Sequence, residues 1–335
     1  MRSQDIRKIE SIQSLRAFAA LSVVLTHMSI INSGGFGVDI FFIISGFLMM
    51  YSTEKGTAGY WKKKIIRIVP FYWIMTIFTV LAVKIMPNLF NSYEVSWIYL
   101  IKSLLFIPYE HNGIYQPVLG LGYTLNYEML FYVFFFISIK MTPKRLGGGK
   151  GLICCILIIL LVGLGMRELP MPFYFWCNTL MLDFVLGIML YYLFQIIPIK
   201  IYLEKESGQY NLICGALALI AIVFLWIIPV PETGWRFWVW GIPSAFLFAA
   251  VYIFYYGRSI PSVLLMVGNI SYYIYLTHPY CVRLTESVVT KLWGDGLLGY
   301  SLIILIGVFA SIVCGYFVWI LYSLVEKKVK KIWNN

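Results

Sequence analysis

Charge is what this sequence has least of. Aspartate, glutamate, lysine and arginine together make up 12% of the 335 residues, while 61% are hydrophobic, too little polar surface to cover a water-soluble globule. The apolar–polar alternation of barrel strands is also missing, whereas apolar runs of about 20 residues recur, so helices are the expected spanning elements. No Walker loop, GxGxxG turn or CxxC pair occurs. P-loop nucleotide hydrolysis, hydride transfer and zinc chemistry therefore lack their recognition elements. The six cysteines lack metal-ligand spacing, and Cys154, Cys155, Cys177, Cys214 and Cys314 fall inside predicted spans, where they read as small apolar filler.

What is there reads as an all-α polytopic integral membrane protein of about ten transmembrane helices. The predicted spans are Ile12–Ile31, Val38–Tyr51, Val69–Ile85, Leu119–Ile139, Gly151–Met166, Trp176–Phe194, Leu212–Ile228, Phe237–Tyr256, Ser262–Tyr280 and Leu297–Leu324. The first is preceded by a basic segment but is long enough to span, and reads as an uncleaved helix rather than a signal peptide. Two stretches depart from this scheme. Val95–Tyr109 is apolar but short and carries Lys102, and reads as an interfacial or re-entrant helix on the outer side. Gly59–Trp73 starts as a basic amphipathic segment at the cytoplasmic face and enters the membrane at Pro70. No repeat, linker or second domain is evident, so residues 1–335 are expected to form one membrane-embedded domain with no separate soluble module.

The net charge of +11 would suit nucleic acid, but its distribution argues against that partner. With the N-terminus inside, nineteen of the 26 lysines and arginines fall in cytoplasmic segments, Lys62, Lys63, Lys64, Arg67, Lys144 and Arg145 among them. Six fall outside: Lys84, Lys102, Arg167, Arg236, Arg283 and Lys291. This bias places both termini in the cytoplasm. Tyrosine and tryptophan, 25 and 11 residues, supply the aromatic belts at the two interfaces.

Ionisable groups inside the predicted spans are costly and mark function. Arg16 and His27 lie on the first span, about 16 Å apart at 1.5 Å per residue and close to one face. Arg16 is then near the cytoplasmic end, and His27 about a turn and a half short of the outer end. Asp39 opens the second span, Glu128 lies about two turns into the fourth, and His278 stands near the outer end of the ninth. Two histidines and two carboxylates at similar depth suit general acid–base chemistry. Each also has a structural reading, as an isolated polar group satisfied by its own helix. Lys62, Lys63, Lys64 and Arg67 suit either anionic lipid headgroups or ligand phosphates.

These residues sit in motifs that resemble the type-three membrane acyltransferases, and the resemblance runs over essentially the whole chain. Arg16 and His27 match that family's arginine, ten residues, histidine pattern. "GVDIFFIISGF" (Gly37–Phe47), with Asp39, Ser45 and Gly46, is similar to its GVDLFFVLSGF-like stretch. Lys64 and Arg67 match its basic-x-x-arginine element, with lysine where the family usually has arginine. "YTLNYEMLFY" resembles its Trp-x-Leu-x-x-Glu-x-x-Phe-Tyr segment with Tyr123 in place of tryptophan, and "SYYIYLTH" (Ser271–His278) its late signature.

The resemblance implies a bacterial, multi-pass enzyme of the cytoplasmic membrane, of the short branch that includes exopolysaccharide acetyltransferases. Such an enzyme takes acyl-CoA as co-substrate with no permanently bound cofactor and no metal, and passes the acyl group to a hydroxyl of an envelope glycan or its lipid-linked precursor. His27 and Glu128 become the expected catalytic residues. Arg16, Lys64 and Arg67 are expected at the acyl-CoA phosphates. Asp39, Ser45, Tyr132, Ser271, Tyr275 and His278 are expected to position the acceptor or support the site. Membrane lipid is an expected partner, and self-association into a homo-oligomer stays open. The rival reading is a proton-coupled transporter or flippase using His27, Glu128 and His278 as a relay; a scaffold with structural buried charges is the third.

Overall fold

The structure is a computed structural model that describes residues 2–53, 60–86, 96–111, 113, 115–141, 149–165, 169–197, 207–229, 231, 234–255 and 258–334. Gly59, Val95, Met166 and Tyr256, which end predicted segments, lie outside that set, as do Lys144, Arg145, Arg167 and the side chains of Lys62 and Lys63. The regular elements among the described residues are helical. They are α1 (Arg2–Thr26), α2 (Gly37–Thr53), α3 (Tyr60–Ile85), α4 (Trp97–Leu104), α5 (Gly122–Met141), α6 (Gly149–Gly165), α7 (Phe173–Trp176), α8 (Met181–Ile196) and α9 (Ser207–Ile227). A π-helical turn (Phe237–Gly241) leads into α10 (Ile242–Phe254), followed by α11 (Ser262–Trp293) and α12 (Leu297–Asn334).

Five of the described helical stretches are long and apolar enough to cross a membrane: Lys64–Ile85, Phe173–Ile196, Gly208–Ile227, Phe237–Phe254 and Leu297–Leu324. Gly37–Thr53 and Gly149–Leu161 are apolar but shorter. The chain gathers into two compact units, Met1–Tyr51 with Leu182–Trp319, and Ser52–Met181 with Ile320–Asn335.

Several boundaries differ from the sequence expectation, among them the end of α1, the start of α3 and the end of α11. α1 stops at Thr26 rather than Ile31, because the His27 and Met28 amides reach back only three residues, to Val24 and Leu25, the tightened closure common at helix ends. The following Asn32, Ser33, Gly34 and Gly35 favour turns over helix. Gly34 takes φ +111°, where a Cβ would stand 2.5 Å from the Ser22 carbonyl oxygen, so only glycine lets the chain pass there. α3 begins well before Val69 and runs through Pro70 unbroken. α11 likewise runs through Pro279 to Trp293 instead of ending at Tyr280, because Val282, Thr285 and Val289 keep a buried stripe at three- and four-residue spacing.

In the first unit α11 crosses α1 almost backbone to backbone, a Cβ on Gly268 standing 2.0 Å from the Gln13 carbonyl oxygen. α2 and α8 meet as closely: a Cβ on Gly46 would stand 2.2 Å from the Phe184 oxygen, and one on Gly187 2.1 Å from the Ile43 oxygen. Phe42 and Phe184 stack beside that crossing with centroids 4.4 Å apart. Small residues permit such approach where helices meet.

The second unit is packed by aromatic residues. Tyr72, Phe131, Tyr132 and Phe135 are fully buried, and Tyr127 stacks on Phe175 at 4.4 Å while its hydroxyl donates to the Phe175 carbonyl at 2.7 Å. The stretch read as interfacial or re-entrant contains α4, eight residues long and far short of a span. Ser96 caps it by accepting from the Tyr99 amide. Its C-terminal end is tied to α3, where Tyr72 Oη donates to the Ser103 carbonyl and Trp73 Nε1 to the Leu104 carbonyl.

Candidate active site

The end of α1 and the middle of α11 bring the two expected histidines together. The His27 and His278 rings stand edge to face with centroids 4.7 Å apart and planes at 77°. His27, expected inside the helix, is the first residue beyond it. Its Nδ1 lies 2.8 Å from the Val23 carbonyl oxygen, and His278 Nδ1 lies 3.1 Å from that of Ile274. A carbonyl only accepts, so both imidazoles carry their proton on Nδ1 and present Nε2 as a lone pair. His27 is an exposed residue, whereas His278 is fully buried and its Nε2 meets no partner among the described residues. One turn before His278, Tyr275 packs 6.1 Å from it and 5.9 Å from Phe41 of α2. Ser271 is buried two turns before His278, and Ser45 is half-buried on α2.

The loop that follows His27 is fixed from the extension of α11. Glu286 Oε1 accepts from the Ser29 amide at 2.7 Å and from its hydroxyl at 2.8 Å, two bonds to one carboxylate oxygen, the stronger kind for being charge-assisted. Glu286 therefore positions His27 through Ser29. Glu286→Ala is expected to lower any turnover that depends on His27 about tenfold by letting the loop drift, while Glu286→Gln, which keeps an acceptor oxygen, restores most of it. Equal loss in both variants, or none in either, would remove this role.

Asp39, in the first turn of α2, is fully buried and engaged. Arg236 grips it with Nη2 to Oδ2 at 2.7 Å and Nε to Oδ1 at 3.1 Å, a two-pronged pairing. The same Nη2 donates to the Gly35 carbonyl at 3.0 Å, and the guanidinium lies 5.0 Å from the Trp240 ring centroid. Arg236 thereby ties the α1–α2 connection to the π turn.

The second unit holds further residues singled out from sequence. Tyr132 Oη donates to Glu128 Oε1, one turn apart on α5, and Lys64 of α3 lies 5.4 Å from the Tyr132 ring centroid. Arg67, one turn on from Lys64, is exposed. Arg16 stays half-buried on α1 in the first unit, with Nε shielded from solvent.

Arg236, Asp183 and Glu286 were not singled out from sequence. Asp183 stood in the middle of a predicted span, "TLMLDFVLGIML", which was signal enough for an ionisable group in a membrane. Arg236 was counted only as an outer charge. Glu286 lay beyond the expected end of its helix.

Several helices of membrane-spanning length, an imidazole pair between the end of α1 and the middle of α11 and a buried carboxylate on α2 define an integral membrane protein with acid–base groups. The profile described as an acyltransferase domain, of the acyltransferase-3 type, matches residues 9–320, and the chain belongs to that family. It is 35% identical over 131 residues to the exopolysaccharide production protein ExoZ of Rhizobium meliloti, covering 37% of this chain and 41% of ExoZ. It is 23% identical over 322 residues to the O-acetyltransferase OatA of Staphylococcus aureus, covering 83% of this chain and 53% of OatA. The chain thus spans about half the length of these curated relatives. No solved structure matches.

Proposed function

We propose that the chain is an O-acyltransferase of a bacterial cytoplasmic membrane, moving an acyl group, acetyl first of all, from cytoplasmic acyl-CoA to a hydroxyl of an envelope or exported polysaccharide or its lipid-linked precursor. The observation that carries this reading is the imidazole pair with both Nδ1 protons committed to backbone carbonyls. His27, an exposed residue, is left with its lone pair on Nε2, the form a general base needs. Membership of the acyltransferase family and a named O-acetyltransferase among the relatives support the same class.

His27 Nε2 takes the acceptor proton as the acceptor oxygen attacks the thioester carbonyl. The C–S bond then breaks, and the CoA sulfur leaves as the thiolate or takes the proton from His27. Tyr275 and Ser271 line the His278 side, and His278 holds the His27 ring edge-on. Lys64 and Arg67, one turn apart on α3, are the candidate cations for the donor's phosphates, and Arg16 is a separate candidate on α1. Glu128, held by Tyr132, is the second candidate catalytic group. The topology we propose has about ten spans with both termini in the cytoplasm, which follows from the lysine and arginine bias.

In oriented vesicles, labelled acetyl-CoA on the cytoplasmic face is expected to acylate a glycan acceptor confined to the other face. Equal activity with donor and acceptor both on the outer face would overturn the orientation. Absence of turnover in every arrangement would overturn the enzyme and favour a proton-coupled transporter.

A further inference from the structure

Behind Asp39 lies a second buried carboxyl that the transfer chemistry leaves unused. Asp183, in the first turn of α8, is fully buried, and neither of its oxygens meets a donor among the described residues. It lies within hydrogen-bonding reach of the Asp39 carboxyl. Both Asp39 oxygens are already held by Arg236. The charged groups that face Asp183 are Asp39 from α2 and Arg236 at the start of the π turn. On a third side stands Gly241, the last residue of that turn, where a Cβ would lie 2.3 Å from Asp183 Oδ1. The backbone there closes against the carboxyl, and only glycine fits.

Two ionised carboxylates against one guanidinium would leave an uncompensated negative charge in a site closed to water, a costly arrangement. They would also face each other with acceptors only. One proton removes both difficulties, since a carboxylic acid donates where a carboxylate cannot. Asp39 is the partner that stays ionised, because its oxygens complete the two-pronged pairing with Arg236. We propose that Asp183 is held as the neutral acid at neutral pH, donates to Asp39, and thereby acts as a positioning residue that keeps Arg236 on Asp39 and on the Gly35 carbonyl of the connection following His27. The inference concerns the protonation state of a buried trio and rests on its geometry; only its consequence for turnover depends on the proposed transfer reaction.

The direct test is infrared spectroscopy of the purified full-length protein at neutral pH. The wild type should show the carbonyl stretch of a protonated, water-excluded carboxylic acid, and the difference spectrum against Asp183→Asn should contain that band. Asp39→Asn leaves Arg236 to be balanced by Asp183 alone, so it should abolish the same band by ionising Asp183. Two variants guard against one failing to fold, and the presence of the wild-type band at neutral pH gives a third reading. A wild type without a protonated-carboxyl band, or a band that both variants leave intact, would overturn the proposal. Asp183→Asn, whose amide can still donate to Asp39, should keep turnover within about threefold, whereas Asp183→Ala should lose about tenfold or more in kcat, the usual scale for a lost buried hydrogen bond. If the band behaves as stated while acetyl-CoA is never turned over, the enzyme reading fails and the neutral carboxyl stands.

Discussion

His27→Ala is expected to lower kcat for the proposed acyl transfer by about 10²–10⁴-fold, the usual contribution of a general base, while the affinity for the proposed acyl-CoA donor stays close to wild type. The separation follows from where the residue stands. His27 lies past the last turn of α1 with its Nδ1 proton given to Val23, so what alanine removes is the lone pair on Nε2. The helix and the cationic residues proposed for the phosphates are untouched. Interactions made alike in ground and transition states change KM, whereas a proton acceptor used only as the new bond forms changes kcat. Arg67→Ala should show the opposite split, with KM raised and kcat nearly kept. Titration of each purified variant with CoA, beside steady-state rates, checks both. Near wild-type turnover in His27→Ala would leave the imidazole pair as packing only.

The positions of Asp39 and Glu128 along their helices were legible in the sequence, and the azimuth of the ionisable groups was not. Asp39 falls in the first turn of α2 and Glu128 just under two turns into α5, as the apolar boundaries implied. That His278 would face His27, however, depends on how α11 is rotated against α1. The rotation is set by the Gly268 contact with the Gln13 backbone, and no one-helix pattern contains it. Helix ends failed where a local rule met a tertiary one. The span expected to end at Tyr280 continues through Pro279 to Trp293, because burial of Val282 and Val289 outweighs the one missing amide. Glu286 was hidden by that reading. Asp183 was lost for a different reason: its partner Asp39 comes from another helix, and a lone aspartate in an apolar run gives no hint of what neutralises it.

The close crossing of α2 and α8 is what holds Asp39 beside Asp183, and it makes substitution of Gly46 or Gly187 costly to folding. A methyl at Gly46 would meet the Phe184 carbonyl at 2.2 Å, and one at Gly187 the Ile43 carbonyl at 2.1 Å, with the Phe47 amide at 2.9 Å. Both neighbours are helix backbone and cannot swing aside as a long side chain can. Relief must come from pushing the two helices apart, which unstacks Phe42 from Phe184 and lengthens the bonds around the buried carboxyls. Overpacking usually costs about 1–3 kcal/mol, and a separation that also loosens a buried charge pair belongs at the upper end or beyond it. Gly46→Leu and Gly187→Leu are therefore expected to abolish stable folded protein in detergent, and the alanine variants to lower the thermal midpoint clearly. Gly208→Ala is the matched control, because a Cβ there meets nothing within 4 Å and alanine favours the helix. The thermal unfolding of all five proteins, followed in one detergent, decides the matter: if Gly46→Ala and Gly187→Ala melt with the Gly208→Ala control, the backbones of α2 and α8 are not in contact as described.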